Sequence, residues 1–218
     1  MTTGTINEFI LDGTEIEITS YHTFLGSINS RDGYDNKVIN RRLSIGRMAM
    51  TKLEMFMKDR NVKKAIKVKI AEIIIFPSVT YGSESWTVRK RERGEQIDAF
   101  ELWMWKRILR VPWQEKRTNL SVLEDVKPKR PLEATILRLK LRYFGHGVRA
   151  KRSLERDIML GPAEGRRKQG KPRTRWLDNI KETTGLRFED LREAVQERKK
   201  RRTLEEEKTR NRERTNVK

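Results

Sequence analysis

Cysteine is absent from the 218 residues, which excludes disulfides, thiolate zinc sites and cysteine nucleophiles. Histidine is nearly absent: His22 and His146 are the two present, too few for a metal site without distant carboxylates. No apolar run approaches the ~18 residues of a membrane span, and the start is too acidic and polar for a secretion signal. These absences lead to the expectation of a soluble intracellular chain, cytoplasmic and nuclear, with no membrane partner. Catalytic signatures are missing too, whether a Walker-type phosphate loop, HExxH, GxSxG or an adjacent Asp pair. The acid pairs Glu124-Asp125 and Glu189-Asp190 fall on expected helix surfaces and read as solvated charge. His146, in YFGHGVR, reads as a hydrogen-bonded residue at a helix end rather than a base.

What the chain has in excess is positive charge. Fifty Lys and Arg against 31 Asp and Glu give a formal net charge of +19, which points to a polyanionic partner. The sign is uneven along the chain. Residues 1–34 carry one base against five acids, and the remainder 49 against 26.

The run INEFILDGTEIEITSYHTFLGSI begins with two β-prone stretches around Asp12-Gly13, a two-residue hairpin signal. A third stretch, Tyr21 to Ile28, would pair with it as a third strand. After Asn36 the period changes to that of a helix. Ile39, Leu43, Gly46, Met50, Leu53 and Met57 alternate steps of four and three, with Arg41, Arg42, Arg47 and Lys52 off the stripe. Ile66, Ile70, Ile73, Ile74 and Tyr81 continue the pattern in a second helix that Pro77 bends or ends. Asn119 would cap a short helix, Leu132 to Tyr143 would form the next, and Phe188, Leu191 and Val195 begin a last one. Beyond it, RKKRRTLEEEKTRNRER is almost fully charged and is expected to fray.

Two stretches are candidates for function. FELWMWKRILRVPW holds three of the five tryptophans, threaded with Lys106, Arg107 and Arg110. Ile97, Phe100, Met104 and Ile108 sit at helical spacing, so the stretch reads as a helix with a buried stripe; the other reading is a platform on which bases stack. Trp103 falls beside that stripe and Trp105 lies roughly 200° from Trp103 on a helix, so both cannot be equally buried. The second stretch, GPAEGRRKQGKPRTR at 161–175, reads as a flexible basic loop. Arg166, Arg167, Lys168, Lys171, Arg173 and Arg175 would meet phosphates there without reading sequence. Six such contacts give a salt slope of about −5.

Five segments in order resemble one family: YHTFLGSINSRDGYDNKVINRRLSIGRMAMTKL, FPSVTYGSESWTV, FELWMWKRILRVPWQEKRTN, LRYFGHGVRA and GKPRTRWLDNI. That family is the endonuclease-reverse transcriptase of non-LTR (LINE-type) retrotransposons, the RTE group above all, and the resemblance covers roughly residues 15 to 200. It implies the end of the palm, the thumb and the carboxyl-terminal region of such an enzyme. The aromatic-x-Asp-Asp motif that holds catalytic magnesium in the family's palm is not in this sequence. No catalytic residue, metal or cofactor is therefore assigned to this chain, which is not expected to be an enzyme by itself. Phe24, Leu25 and Gly26 match the family's primer-grip element, with Phe in place of the usual Tyr and Thr23 where relatives carry Lys or Arg. The resemblance makes Arg41, Arg42, Arg47 and Lys52 contacts to the primer–template duplex. Relatives also keep a Trp where this chain reads RKKRRT.

The expected fold is mainly α. A small β-hairpin or three-strand element (1–34) precedes a helical thumb-like bundle (35–126), a helical segment (127–160), the basic loop (161–175) and terminal helices with a charged tail (176–218). The expected function is that of a reverse-transcriptase fragment that grips RNA and DNA, an RNA–DNA hybrid above all, without sequence preference. The missing fingers–palm portion is a further expected partner. Three alternatives stand beside it: a stand-alone or domesticated nucleic-acid-binding module, a helical protein-interaction module, and a retroelement relic.

Overall fold

A computed structural model describes residues 9–11, 14–16, 19–24, 26–30, 35–88, 93–112, 114–150, 154–160 and 175–215. Two short antiparallel hairpins come first. In one, β1 (Phe9–Leu11) pairs with β2 (Thr14–Ile16), Phe9 opposite Ile16. In the other, β3 (Tyr21–Phe24) pairs with β4 (Ser27–Ser30), Tyr21 opposite Ser30. The stretch from Tyr21 thus folds back on itself instead of joining the first hairpin as a third strand. Gly26, at a φ of 79°, sits at that turn, where a left-handed backbone favours glycine.

Helices dominate the other described residues. The stripe expected on α1 (Asn36–Lys52) is what the fold buries: Ile39, Leu43, Gly46 and Met50 face inward, and Met57 of α2 (Glu54–Lys58) follows. Next come α3 (Lys64–Ile70), a π-helical turn (Ala71–Ile75) and α4 (Phe76–Thr80), one after another without a break. Pro77 is in the first turn of α4, and the wide turn just before it accommodates the missing backbone donor. Here the expected stripe is reversed. Ile66, Ile73, Ile74 and Tyr81 are exposed, while Val68, Ala71, Ile75, Phe76 and Val79 are buried.

A second π-helical turn (Arg93–Asp98) leads into α5 (Ala99–Leu109), followed by α6 (Asn119–Val126). Thr118, not Asn119, caps α6, its Oγ1 accepting the Ser121 N–H at 3.2 Å. The long α7 (Leu132–Arg149) runs on past Tyr143 through Gly145 and Gly147. Then come α8 (Leu154–Leu160), α9 (Trp176–Thr184), α10 (Phe188–Gln196) and α11 (Arg198–Thr215). The charged tail expected to fray is helical and docked: Leu204 of α11 is buried against α7 and its neighbours.

Two apolar cores result, and α7 belongs to both. Its Leu132 and Ile136 join the core of α1, α3, α4 and α5; its Leu137, Leu141 and Phe144 join Ile180, Leu191, Val195 and Leu204. Polar ties cross the junction. The buried Lys140 ammonium donates to Asn179 Oδ1, and Asn179 Nδ2 donates to the Val88 carbonyl. Trp176 Nε1 donates to the Glu84 carbonyl at 2.8 Å. Among the described residues no helix is long and apolar enough to cross a membrane.

Candidate nucleic-acid interface

A concavity lies between α2 and α5. It encloses about 940 Å³ and is lined by Lys58, Leu102, Trp103, Lys106, Arg107 and Arg110, with the Glu54 carboxylate at its edge. The amphipathic period of α5 puts them there. Phe100, Met104 and Ile108 are buried, so Lys106, Arg107 and Trp103 turn partly or fully outward.

The two tryptophans divide, but Trp105 and not Trp103, the one expected beside the stripe, is the buried one. Trp105 is fully buried against Phe76 at a centroid distance of 5.9 Å, and its Nε1 donates to Glu101 at 3.0 Å. Trp103 is half-buried, packed on Phe100 at 5.8 Å, and forms a wall of the cleft. The core reading holds for Trp105, while Trp103 stands at the surface among cations.

The cations of the cleft are of two kinds. Arg107 Nη2 bonds Glu54 at 2.7 Å and its guanidinium lies over the Trp103 ring at 5.7 Å. Lys58 bonds the same carboxylate at 2.8 Å. Hydrogen bonding to Lys58, seconded by Arg107, holds the Glu54 carboxyl below the usual carboxylate range. Lys106 and Arg110 form no ion pair with any described residue. Arg110 closes α5 in the left-handed conformation, φ 56°, while the following Val111 N–H donates to the Lys106 carbonyl at 3.0 Å. Four bases against one carboxylate leave the cleft positive, fit for an anion. Lys58 was not singled out from the sequence; it arrives by the packing of α2 on α5.

The four bases expected on α1 do not share one role. Arg41, Arg47 and Lys52 are exposed, Arg47 lying over the Phe100 ring at 5.8 Å. Arg42 is half-buried. Its Nη2 donates to the Gly26 carbonyl at 2.9 Å, and its guanidinium stacks 4.3 Å from the Tyr81 ring centre. Burial, then the neighbouring Arg41, lowers its pKa. Arg42 thereby clamps the second hairpin onto the helices. Of the primer-grip triplet, Phe24 is exposed, Gly26 receives that clamp, and Leu25 lies outside the described residues. Arg166, Arg167, Lys168, Lys171 and Arg173 also lie outside them. Arg175 is exposed just ahead of α9, its backbone N–H donating to Asp178 Oδ2 at 3.1 Å.

Among the described residues no group of three His, Asp or Glu stands ready to hold a metal ion. No protein-family model matches the chain, and no solved structure does. It is similar to an uncharacterized transposon-derived protein of Caenorhabditis elegans, 26% identical over 138 residues, or 61% of this chain. The matched part is 49% of that relative, so it spans about half its length. The likeness points to a transposon-related origin.

Proposed function

We propose that this chain is the carboxyl-terminal part of a non-LTR retrotransposon reverse transcriptase, and that it binds nucleic acid without polymerising on its own. In this reading the catalytic magnesium and its aspartates belong to a palm that this sequence does not contain. The observation that carries the reading is the cleft between α2 and α5, where Trp103 stands beside Lys106, Arg107 and Arg110. An aromatic wall beside cations suits a sugar–phosphate backbone with a base within reach. The exposed Arg41, Arg47 and Lys52 extend the positive surface along α1. The transposon-derived relative supports the origin that the reading assumes.

The test is fluorescence anisotropy of the purified chain with a short RNA–DNA hybrid, duplex DNA and single-stranded RNA over a salt series. A steep salt dependence with preference for the hybrid is the expected outcome. Equal binding to all three would reduce the surface to a non-selective basic patch. No binding near physiological salt would leave a retroelement relic or a protein-binding fragment. The exposed Ile66 of α3 and Ile73 and Ile74 of the π-helical turn favour the protein-binding alternative, because large apolar side chains left in solvent suit another polypeptide.

A further inference from the structure

The helix α11 lies along α7, and arginines gather where they meet. On α7, Arg138, Arg142 and Arg149 follow steps of four and seven, which is one stripe of a helix. Gly145 completes that stripe. A Cβ there would lie 3.1 Å from the Val195 carbonyl oxygen and 3.5 Å from Arg201 Cδ, so the bare backbone admits the α10–α11 corner. With Leu204 buried, α11 brings Arg201 to the same seam beside Gly145, and Arg130, Arg198 and Arg202 lie within electrostatic reach of it.

Glu205 is the acid set among these guanidiniums. Its Oε1 lies 3.3 Å from Arg201 Nε, and its carboxyl also feels Arg138, Arg130 and Arg202. Arg149 is partly committed to the fold, donating to the Val195 carbonyl at 2.7 Å. Partial desolvation of this exposed side chain, and then Arg130, lower the pKa of Arg138, with Arg142 and Arg201 adding to that and Glu205 opposing. The seam is therefore short of negative charge. Had its purpose been to hold α11 in place, alternating carboxylates would serve better than mutually repelling arginines.

We propose that the α7–α11 seam is a binding site for the phosphate backbone of a nucleic acid, separate from the cleft between α2 and α5. Guanidinium forks match phosphate oxygens in pairs, which ammonium groups do not. Arg138 to Arg149 spans about 16 Å of helix axis at ~1.5 Å per residue. That is roughly five steps of a duplex at ~3.4 Å each. An anion along the seam relieves the repulsion and stabilises the docked tail helix. The inference rests on the nucleic-acid reading above and adds to it a second surface.

The test uses the full chain carrying Arg138→Gln and Arg142→Gln together, both exposed side chains. Binding to the RNA–DNA hybrid is measured over a salt series beside the wild type. Each lost phosphate contact flattens the slope of log K against log salt by ~0.9, so a change of about 1.8 is expected, with at least about tenfold weaker binding. A control pair elsewhere, Arg60→Gln with Lys63→Gln, should leave the slope near that of the wild type. Thermal melting of the variants reads folding independently, and the seam pair should melt no lower than the wild type. A wild-type slope in the seam variant overturns the seam and spares the cleft. No hybrid binding by the wild type overturns the nucleic-acid reading itself. Displacement of the hybrid by polyglutamate as readily as by polyphosphate would show a taste for any negative charge, and would also overturn the proposal.

Discussion

Glu101 on α5 accepts the backbone N–H of Leu132 at 2.7 Å, so an acid 31 positions earlier caps the first turn of α7. Its other oxygen accepts the Trp105 indole N–H at 3.0 Å. A carboxylate at a helix N-terminus is a favourable placement. It explains how the largest buried aromatic of α5 finds a partner for its one polar atom.

Burial pushes the Glu101 carboxyl up to about 7, against the two hydrogen bonds that favour the charged form. An unfolded glutamate titrates near 4.5. Between those values the folded chain holds a proton that the unfolded chain has lost, so this group's contribution to stability falls as pH rises through the window. The full swing is about 3 kcal/mol. Glu101→Gln keeps an acceptor oxygen and cannot ionise. Its stability relative to the wild type should improve from pH 4.5 to pH 8, measured by urea denaturation at both. A difference that does not change with pH would contradict the assignment.

Arg41 and Arg42 are neighbours with opposite expected phenotypes. Arg42→Lys loses the planar stack on Tyr81 and the aimed bond to Gly26, so the second hairpin should loosen. Amide hydrogen exchange at residues 21–30 should speed up, with a stability loss of about 1 kcal/mol. Arg41→Gln should leave exchange untouched and weaken only nucleic-acid binding. Equal exchange behaviour in the two variants would remove the clamp.

Much of the helical layout was legible in the sequence, for reasons particular residues make plain. Ile39, Leu43, Gly46 and Met50 are buried because they recur on one side of α1, with the bases Arg41, Arg47 and Lys52 off it. The segment from Ile66 to Val79 misleads because it carries two apolar stripes. Ile66, Ile70, Ile73 and Ile74 form one; Val68, Ala71, Ile75, Phe76 and Val79 form the other. Period alone cannot choose between them. The fold even buries Lys67, whose stem lines the core while its ammonium reaches the Asp59 carbonyl at 2.6 Å. The cleft was half legible. Lys106, Arg107 and Arg110 are visible as a cluster, but Lys58 joins them only through tertiary packing. The arginine seam left a readable trace in the spacing of Arg138, Arg142 and Arg149, while its other half depends on the docking of a tail that composition marks as fraying.

Gly46 marks a close approach of α1 to α4 and α5. A Cβ there would lie 2.4 Å from Val79 Cγ2 and 2.7 Å from Phe100 Cζ, distances that real methyl groups do not adopt. Gly46→Ala gains helix propensity of about 1 kcal/mol but forces α1 away from α4 and α5. Overpacking of this kind costs about 1–3 kcal/mol, so a net loss is expected in chemical denaturation. A stabilised variant would show that α1 can shift at little cost.

Arg110 sets stability against binding at one position. Its φ of 56° is unfavourable for a side chain with a Cβ and ordinary for glycine. The residue closes α5 where a glycine would serve the backbone better, yet it places a guanidinium in the cleft. Arg110→Gly should therefore raise stability by about 1 kcal/mol while weakening hybrid binding and flattening its salt slope by ~0.9. Denaturation and anisotropy on the same preparation measure both. If stability rises and binding is untouched, Arg110 contributes no contact, and the cleft must work through Lys106 and Arg107. If stability falls, the arginine side chain supports the end of α5, and its charge is structural rather than directed at a ligand.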